Sequence, residues 1–228
     1  MPDAPPELAA VLWDMDGTLV DTEPYWIAAE YALVESFGGT WSDEHAHSLV
    51  GSDLLVAAAY IREHGGVDLE PAEIVERMLA QVIASVKGHI PWMPNARELL
   101  RQLGEAGIPC GLVTMSWTSL AMAVVEQLPV GTFSVVVTGD SVTQGKPHPE
   151  PYLRGAELLG VRPQDCVAFE DSPTGVASAQ AAGCVTVAIP HVAEVAEDPG
   201  RTIIDSLGGV TVDGLRDLVR GRGALVDA

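Results

Sequence analysis

What the sequence is short of narrows the field first. It holds three cysteines, Cys110, Cys166 and Cys184, among 228 residues. An odd number of thiols, each in an apolar strand-like setting, excludes a disulfide-stapled scaffold and suggests reduced core residues in a cytoplasmic protein. A chain of this length needs no staples, since it can bury about 70–75% of its unfolded surface. No apolar run approaches the roughly 18–20 residues of a membrane span. The opening "MPDAPPELAA" lacks the basic start and long apolar core of a secretion signal. Low-complexity tracts and internal repeats are missing, and 47% hydrophobic with 19% charged residues is a globular composition. Basic residues are scarce: 12 Lys and Arg stand against 32 Asp and Glu, a net charge of -20. That disfavours nucleic acid and anionic membranes as partners. It weighs less against a small anionic ligand, because charges beyond roughly 8 Å are largely screened at physiological salt. Lysine is the rarest cation, present only as Lys87 and Lys146. A lysine kept in so acidic a chain calls for a local reason.

The hydrophobic pattern gives an organisation. Leu8 to Trp13 reads as a buried strand, and Gly17 permits a tight turn after it. "TEPYWIAAEYALVESFGG" then reads as a helix with Thr22 as N-cap, Pro24 in its first turn and Gly38-Gly39 as its stop. Two further helices follow: "SDLLVAAAYIREHGG", and "PAEIVERMLAQVIASVKG" with Val75, Leu79, Val82 and Val86 on one face. From there, helices alternate with short β-branched apolar runs: "IPCGLVT", "FSVVVTG", "DCVAFED" and "CVTVAIP". Such runs lack alternation because both faces are covered, which implies a parallel sheet. The expected fold is α/β. A Rossmann-like, doubly wound parallel sheet spans residues 1–20 and 91–228, with an all-helical cap inserted over 21–90.

In such sheets ligands bind at the C-terminal ends of the strands. The first strand ends at Asp14 and Asp16, the second at Thr114 with Ser116 nearby, and the fourth at Glu170 and Asp171. The loop after the third carries Lys146 within "TQGKPHPEP". Four carboxylates cannot converge without compensation, because repulsion and desolvation are costly. A Mg²⁺ ion resolves this, taking one or two carboxylates, waters and a substrate phosphate. Lys146 suits a phosphate as a positive point charge, and Thr114 can donate to a phosphoryl oxygen. Asp14 is then the candidate nucleophile, giving an aspartyl-phosphate. Asp16 is the candidate acid/base for the leaving alcohol and for the hydrolytic water. Asp171 is a metal ligand, and Glu170 either ligates or supports one that does. The catalytic set is Asp14, Asp16, Thr114 and Lys146, and the metal set is Asp14, Asp16, Glu170 and Asp171.

Four segments, "DMDGTLVDTEP", "GLVTMS", "GKPHPEPYL" and "AFEDSPTGV", occur in that order. Together they resemble the four motifs of the haloacid dehalogenase superfamily of aspartate-nucleophile phosphatases, over nearly the whole chain. The helical insert resembles the cap of the subgroup containing β-phosphoglucomutase, phosphoglycolate phosphatase and sugar-phosphate phosphatases. The resemblance implies that the Asp16 carbonyl also ligates Mg²⁺. It further implies that Asp16, Gly17, Thr114, Met115 (through its amide) and Lys146 hold the phosphate. Two departures weaken a mutase reading. Trp26 stands where mutases carry a cap-hinge histidine, and "VGSDLL" (Val50 to Leu55) lacks their cap-loop arginine. Asp16 argues against dehalogenases and phosphonoacetaldehyde hydrolases, which lack it. The expected activity is hydrolysis of a small phosphorylated metabolite, a sugar or polyol phosphate, by a monomer. A phosphomutase and a non-enzymatic receiver-type domain are the rivals.

The remaining residues carry plainer expectations. Glu23, Trp26, Gly51, Ser52 and Asp53 are candidates for facing substrate. His45 and His47, two apart on a helix, do not share a face and are expected on a solvated surface rather than at a metal. His148 is expected to be a loop residue, and the cysteines small core residues. Ser172 reads as the N-cap of the helix that Pro173 opens, which leaves Asp171 free.

Overall fold

The computed structural model describes residues 7–50, 52–221 and 225. The chain divides into two compact units, Met1–Val20 with Trp92–Ala228, and Asp21–Pro91. Strand β1 (Ala10–Trp13) opens the first unit, and all four of its residues are buried.

The second unit is helical. It contains α1 (Glu23–Ser36), α2 (Asp43–Leu49), α3 (Leu54–Gly65) and α4 (Pro71–Gly88). α4 buries Val75, Leu79, Val82 and Val86 together with Ile74 and Met78, so the stripe read from sequence is the packed one. α2 was expected only as a helix around His45 and His47, without bounds. Its seven residues are too few for periodicity to register, but Ser42 caps it, accepting from the His45 amide at 3.3 Å. Thr22 precedes α1 yet makes no side-chain capping bond to it. Of the two histidines expected on a solvated surface, His47 is exposed. His45 is not: its ring stacks on Trp41 at 4.7 Å and its Nδ1 lies 2.9 Å from the Tyr60 hydroxyl. That part of the expectation is corrected. Glu30 is buried in this unit at 4% exposure, and Trp41 Nε1 donates to its Oε2 at 3.0 Å.

The first unit resumes with α5 (Ala96–Glu105), β2 (Cys110–Val113), α6 (Thr118–Val125), β3 (Val135–Val137), α7 (Glu150–Leu159), β4 (Cys166–Glu170), α8 (Pro173–Ala182), β5 (Val185–Ala188), β6 (Arg201–Ile203) and α9 (Val212–Val219). β6 and α9 were not anticipated, because three half-buried residues and a short two-turn helix leave little pattern. The six strands form one sheet in the order β3-β2-β1-β4-β5-β6, and every pairing is parallel. Ala10 and Leu12 pack with Tyr152 and Ala156 of α7 and Ala179 and Ala182 of α8. Their neighbours Val11 and Trp13 point to the other face and are equally unexposed. Helices therefore cover both faces, as the unalternating strands implied. Cys110, Cys166 and Cys184 are free and buried, and burial pushes the thiols of Cys110 and Cys166 up to about 12. Among the described residues, no helix is long and apolar enough to cross a membrane.

Candidate active site

The strand order decides which side chains meet. β1 lies between β2 and β4, with Trp13 level with Leu112 on one side and Phe169 on the other. The chain steps outward from β1 through β2 to β3 and then crosses back to β4, so the order reverses between β1 and β4. Such a switch point leaves a crevice at the carboxyl ends of the strands. Asp14 follows β1 there, its amide donating to the Phe169 carbonyl at 3.0 Å, beside Glu170 at the end of β4.

The turn after β1 is tight. The Met15 carbonyl accepts from the amides of Leu19 at 2.8 Å and Val20 at 3.1 Å, and the Gly17 amide donates to the Val20 carbonyl at 2.8 Å. Gly17 has φ +85°, and a Cβ there would lie 2.1 Å from Asp171 Oδ2. Glycine is therefore demanded twice, by the backbone angle and by the approach of Asp171.

Lys146 stands at the centre with a side chain only 4% exposed. Its Nζ donates to Asp14 Oδ1 at 2.6 Å and the Val113 carbonyl at 2.8 Å, and pairs with Glu170 Oε1 at 2.6 Å. Burial alone would lower this lysine's pKa, but Asp14 and Glu170 outweigh it and hold the ammonium above its ordinary value. The rare lysine thus has its local reason.

One ammonium does not satisfy the carboxylates around it. Asp14, Glu170 and Asp171 each offer an oxygen within 4.8 Å of the others. Burial, then the charges of Asp14 and Glu170, push Asp171 up to about 9. Burial likewise raises Glu170 to about 7 against the pull of Lys146. Among the described residues, Asp14 Oδ2 is buried without a hydrogen-bond partner. Three clustered carboxylates, one lysine and an orphaned carboxylate oxygen fit a divalent cation with oxygen ligands.

Asp16 belongs to an adjoining cluster. Its Oδ2 accepts from Ser116 Oγ at 2.8 Å and Thr114 Oγ1 at 3.2 Å, and Thr114 Oγ1 accepts from the Ser116 amide at 3.0 Å. Two hydroxyls beyond β2 therefore hold the carboxylate, and the contribution of Ser116 was not foreseen. Met115 links the loops. Its Sδ accepts from the Lys146 amide at 3.4 Å. A Cβ at Gly145 would lie 2.4 Å from Met115 Cε, and one at Gly139 2.2 Å from the Met115 carbonyl oxygen. Ser172 caps α8, accepting from the Gly175 amide at 3.2 Å. His148 sits in the loop before α7, and its carbonyl accepts from Ser178 Oγ at 2.6 Å.

The five cap candidates fare differently. Glu23 and half-buried Trp26 lie in the first turn of α1, and Ser52 precedes α3. Asp53 is spent on structure, its Oδ1 accepting from the Leu55 and Val56 amides at 2.9 and 3.2 Å as the N-cap of α3. Gly51 lies outside the described residues. The sequence reading also missed Tyr152, whose hydroxyl donates to Glu170 Oε1 at 2.5 Å. It stands six residues after Lys146 in an apolar helix face, so only its place within "GKPHPEPYL" could have drawn attention to it.

A parallel α/β sheet with an aspartate at the switch point, a buried lysine and an acidic pair on the neighbouring strand is the architecture of the haloacid dehalogenase-like hydrolases. The chain matches that family over residues 11–189 and belongs to it. It is 31% identical over 220 residues to hexitol phosphatase B of Escherichia coli K12, covering 94% of this chain and 98% of the relative. It is 35% identical to hexitol phosphatase A of the same organism, over 78% of this chain and 81% of the relative. Among solved structures, CbbY of Rhodobacter sphaeroides in complex with xylulose-1,5-bisphosphate superposes with a TM-score of 0.82 at 26% identity, covering 91% and 99% of the two chains. The protein is a phosphatase, a hydrolase of phosphate esters.

Proposed function

We propose that the chain is a Mg²⁺-dependent phosphatase that hydrolyses a sugar or polyol phosphate through an aspartyl-phosphate on Asp14. The observation that carries this reading is the unequal treatment of the two Asp14 oxygens. Oδ1 is bound by Lys146, whereas Oδ2 is buried and unpartnered beside two further carboxylates. A buried, unpaired anionic oxygen costs free energy unless it has a task.

Asp14 attacks phosphorus, and Lys146 offsets the repulsion between carboxylate and phosphoryl oxygens. Asp14, Asp171 and the Asp16 carbonyl would hold the cation, with Glu170 either ligating it or supporting those that do. When bound, it would neutralise the phosphoryl charge and align the group for in-line attack. Asp16, entering as the carboxylic acid, protonates the departing alkoxide; the carboxylate left behind takes the proton of the water that hydrolyses the aspartyl-phosphate, which restores the acid. The hydroxyls of Thr114 and Ser116 keep its carboxyl group oriented until substrate arrives. Thr114, the Met115 amide, Gly17 and Lys146 bind phosphoryl oxygens. The helical unit would act as the cap that selects the alcohol and excludes water, with Glu23, Trp26 and Ser52 as its specificity candidates. The two hexitol phosphatase relatives support a polyol phosphate as that substrate. The buried free thiols fit a cytoplasmic setting.

The test is phosphate release from a panel of hexitol phosphates, hexose phosphates and phosphoglycolate, with and without Mg²⁺. Release should require the ion and be highest for a polyol or sugar phosphate. Asp14→Asn should lower it at least about 10³-fold while the protein stays folded; normal turnover by that variant would refute the nucleophile assignment. Hexose-phosphate interconversion without net phosphate release would favour a mutase instead.

A further inference from the structure

Glu170 is the least exposed of the site carboxylates, at 0%, and its surroundings fix it tightly. Oε1 accepts from Tyr152 at 2.5 Å and pairs with Lys146 Nζ at 2.6 Å. Oε2 accepts a long bond from Ser172 Oγ at 3.5 Å and faces α8, where a Cβ on Gly175 would lie only 1.8 Å away. Tyr152 is itself fully buried, and Lys146 Nζ lies 5.2 Å from the centre of its ring. One side chain thus touches both members of the Lys146–Glu170 pair, the hydroxyl binding the acid and the ring face lying near the cation.

We propose that Tyr152 is a positioning residue for phosphoryl transfer. By pinning Glu170 Oε1, it divides the Lys146 ammonium between Glu170 and Asp14. This inference rests on the proposed role of Asp14 as nucleophile. Before substrate binds, Lys146 has three acceptors at 2.6, 2.6 and 2.8 Å, one for each of its N–H groups; a phosphoryl oxygen would take the place of one of them. If Glu170 were free to turn about its terminal torsion, a broad one, the ammonium would lean toward Asp14. It would then bind the nucleophile more tightly and hold it back. The hydroxyl of Tyr152, at 2.5 Å a far closer restraint than Ser172 Oγ at 3.5 Å, opposes that turn.

Tyr152→Phe deletes the hydroxyl and keeps the ring. The experiment is a double-mutant cycle with Glu170→Gln, read as kcat and KM for 4-nitrophenyl phosphate in the presence of Mg²⁺, with thermal unfolding run alongside. Tyr152→Phe should lower kcat about tenfold, the scale of one hydrogen bond to a charged group, with KM within about twofold. In the Glu170→Gln background the same change should matter less than about twofold, because the tyrosine acts only through that acid. A purely structural role would instead give losses that multiply. The inference is overturned if Tyr152→Phe keeps kcat within about twofold of the unmutated protein, if the loss falls on KM, or if it persists without Glu170. Should Glu170→Gln be too slow to follow, the kcat and KM of Tyr152→Phe decide alone. Absence of turnover in the unmutated protein, or normal turnover by Asp14→Asn, would instead sink the phosphatase reading and this inference with it.

Discussion

Glu30 should make the helical unit lose stability as pH rises. Its carboxyl is raised from 4.5 to about 7, first by burial and further by Glu23, against the opposing bond from Trp41. Between those values the folded protein holds a proton that the unfolded chain has released. Stability is therefore fully present below about 4.5 and falls as pH climbs through about 7. A rise of two and a half units, at 1.36 kcal/mol each, corresponds to about 3 kcal/mol. The residue as a whole is 4% exposed, and residual solvent screening of its carboxyl makes that energy an upper bound. Glu30→Gln removes the titration while keeping an oxygen for Trp41 Nε1, 3.0 Å away. The assay is thermal unfolding of both proteins from pH 4.5 to 8. The difference in midpoint between them should drift in favour of the variant by about 5–10 °C across that range. Any pH-independent cost of the substitution cancels in this comparison. Parallel midpoints at every pH would refute the reasoning, since they would mean that Glu30 titrates as it does in the unfolded chain.

Three further outcomes follow from single contacts. Lys146→Met leaves three clustered carboxylates without their cation; it should cost about 3–5 kcal/mol in denaturant unfolding and lower phosphate release at least about 10²-fold. Gly175→Ala should be harmful although alanine favours a helix by about 1 kcal/mol, because the new Cβ would lie 1.8 Å from Glu170 Oε2; a kcat drop beyond about tenfold with α8 still formed is the expected result, and unchanged turnover would mean that Glu170 has room to move. Asp53→Ala removes a cap from two amides and should lower the midpoint by about 2–4 °C, whereas Asp53→Ser, which can still cap, should hold it.

The sequence by itself determined the alternation of helices and buried strands, the helical insert and the identities of Asp14, Asp16, Thr114, Lys146, Glu170 and Asp171. Those signals are local. Unalternating β-branched runs mark strands covered on both faces, a four-residue stripe marks α4, and polar residues stand where apolar runs stop. Weak local signals went unread, as with the three residues of β6 and the eight of α9.

Only the tertiary structure decided how the carboxylates are apportioned. Sequence placed four of them on one edge. The strand order separates them, giving Asp16 to the hydroxyls of Thr114 and Ser116 and Glu170 to Lys146 and Tyr152, and leaving Asp14 Oδ2 unpartnered. Those partners lie between 18 and 100 residues apart along the chain. No periodicity reaches that far, and each bond depends on which strand lies beside β1 and which helix crosses its end. For the same reason Gly17 and Gly175 read only as a turn and a helical glycine until Asp171 and Glu170 were found against them.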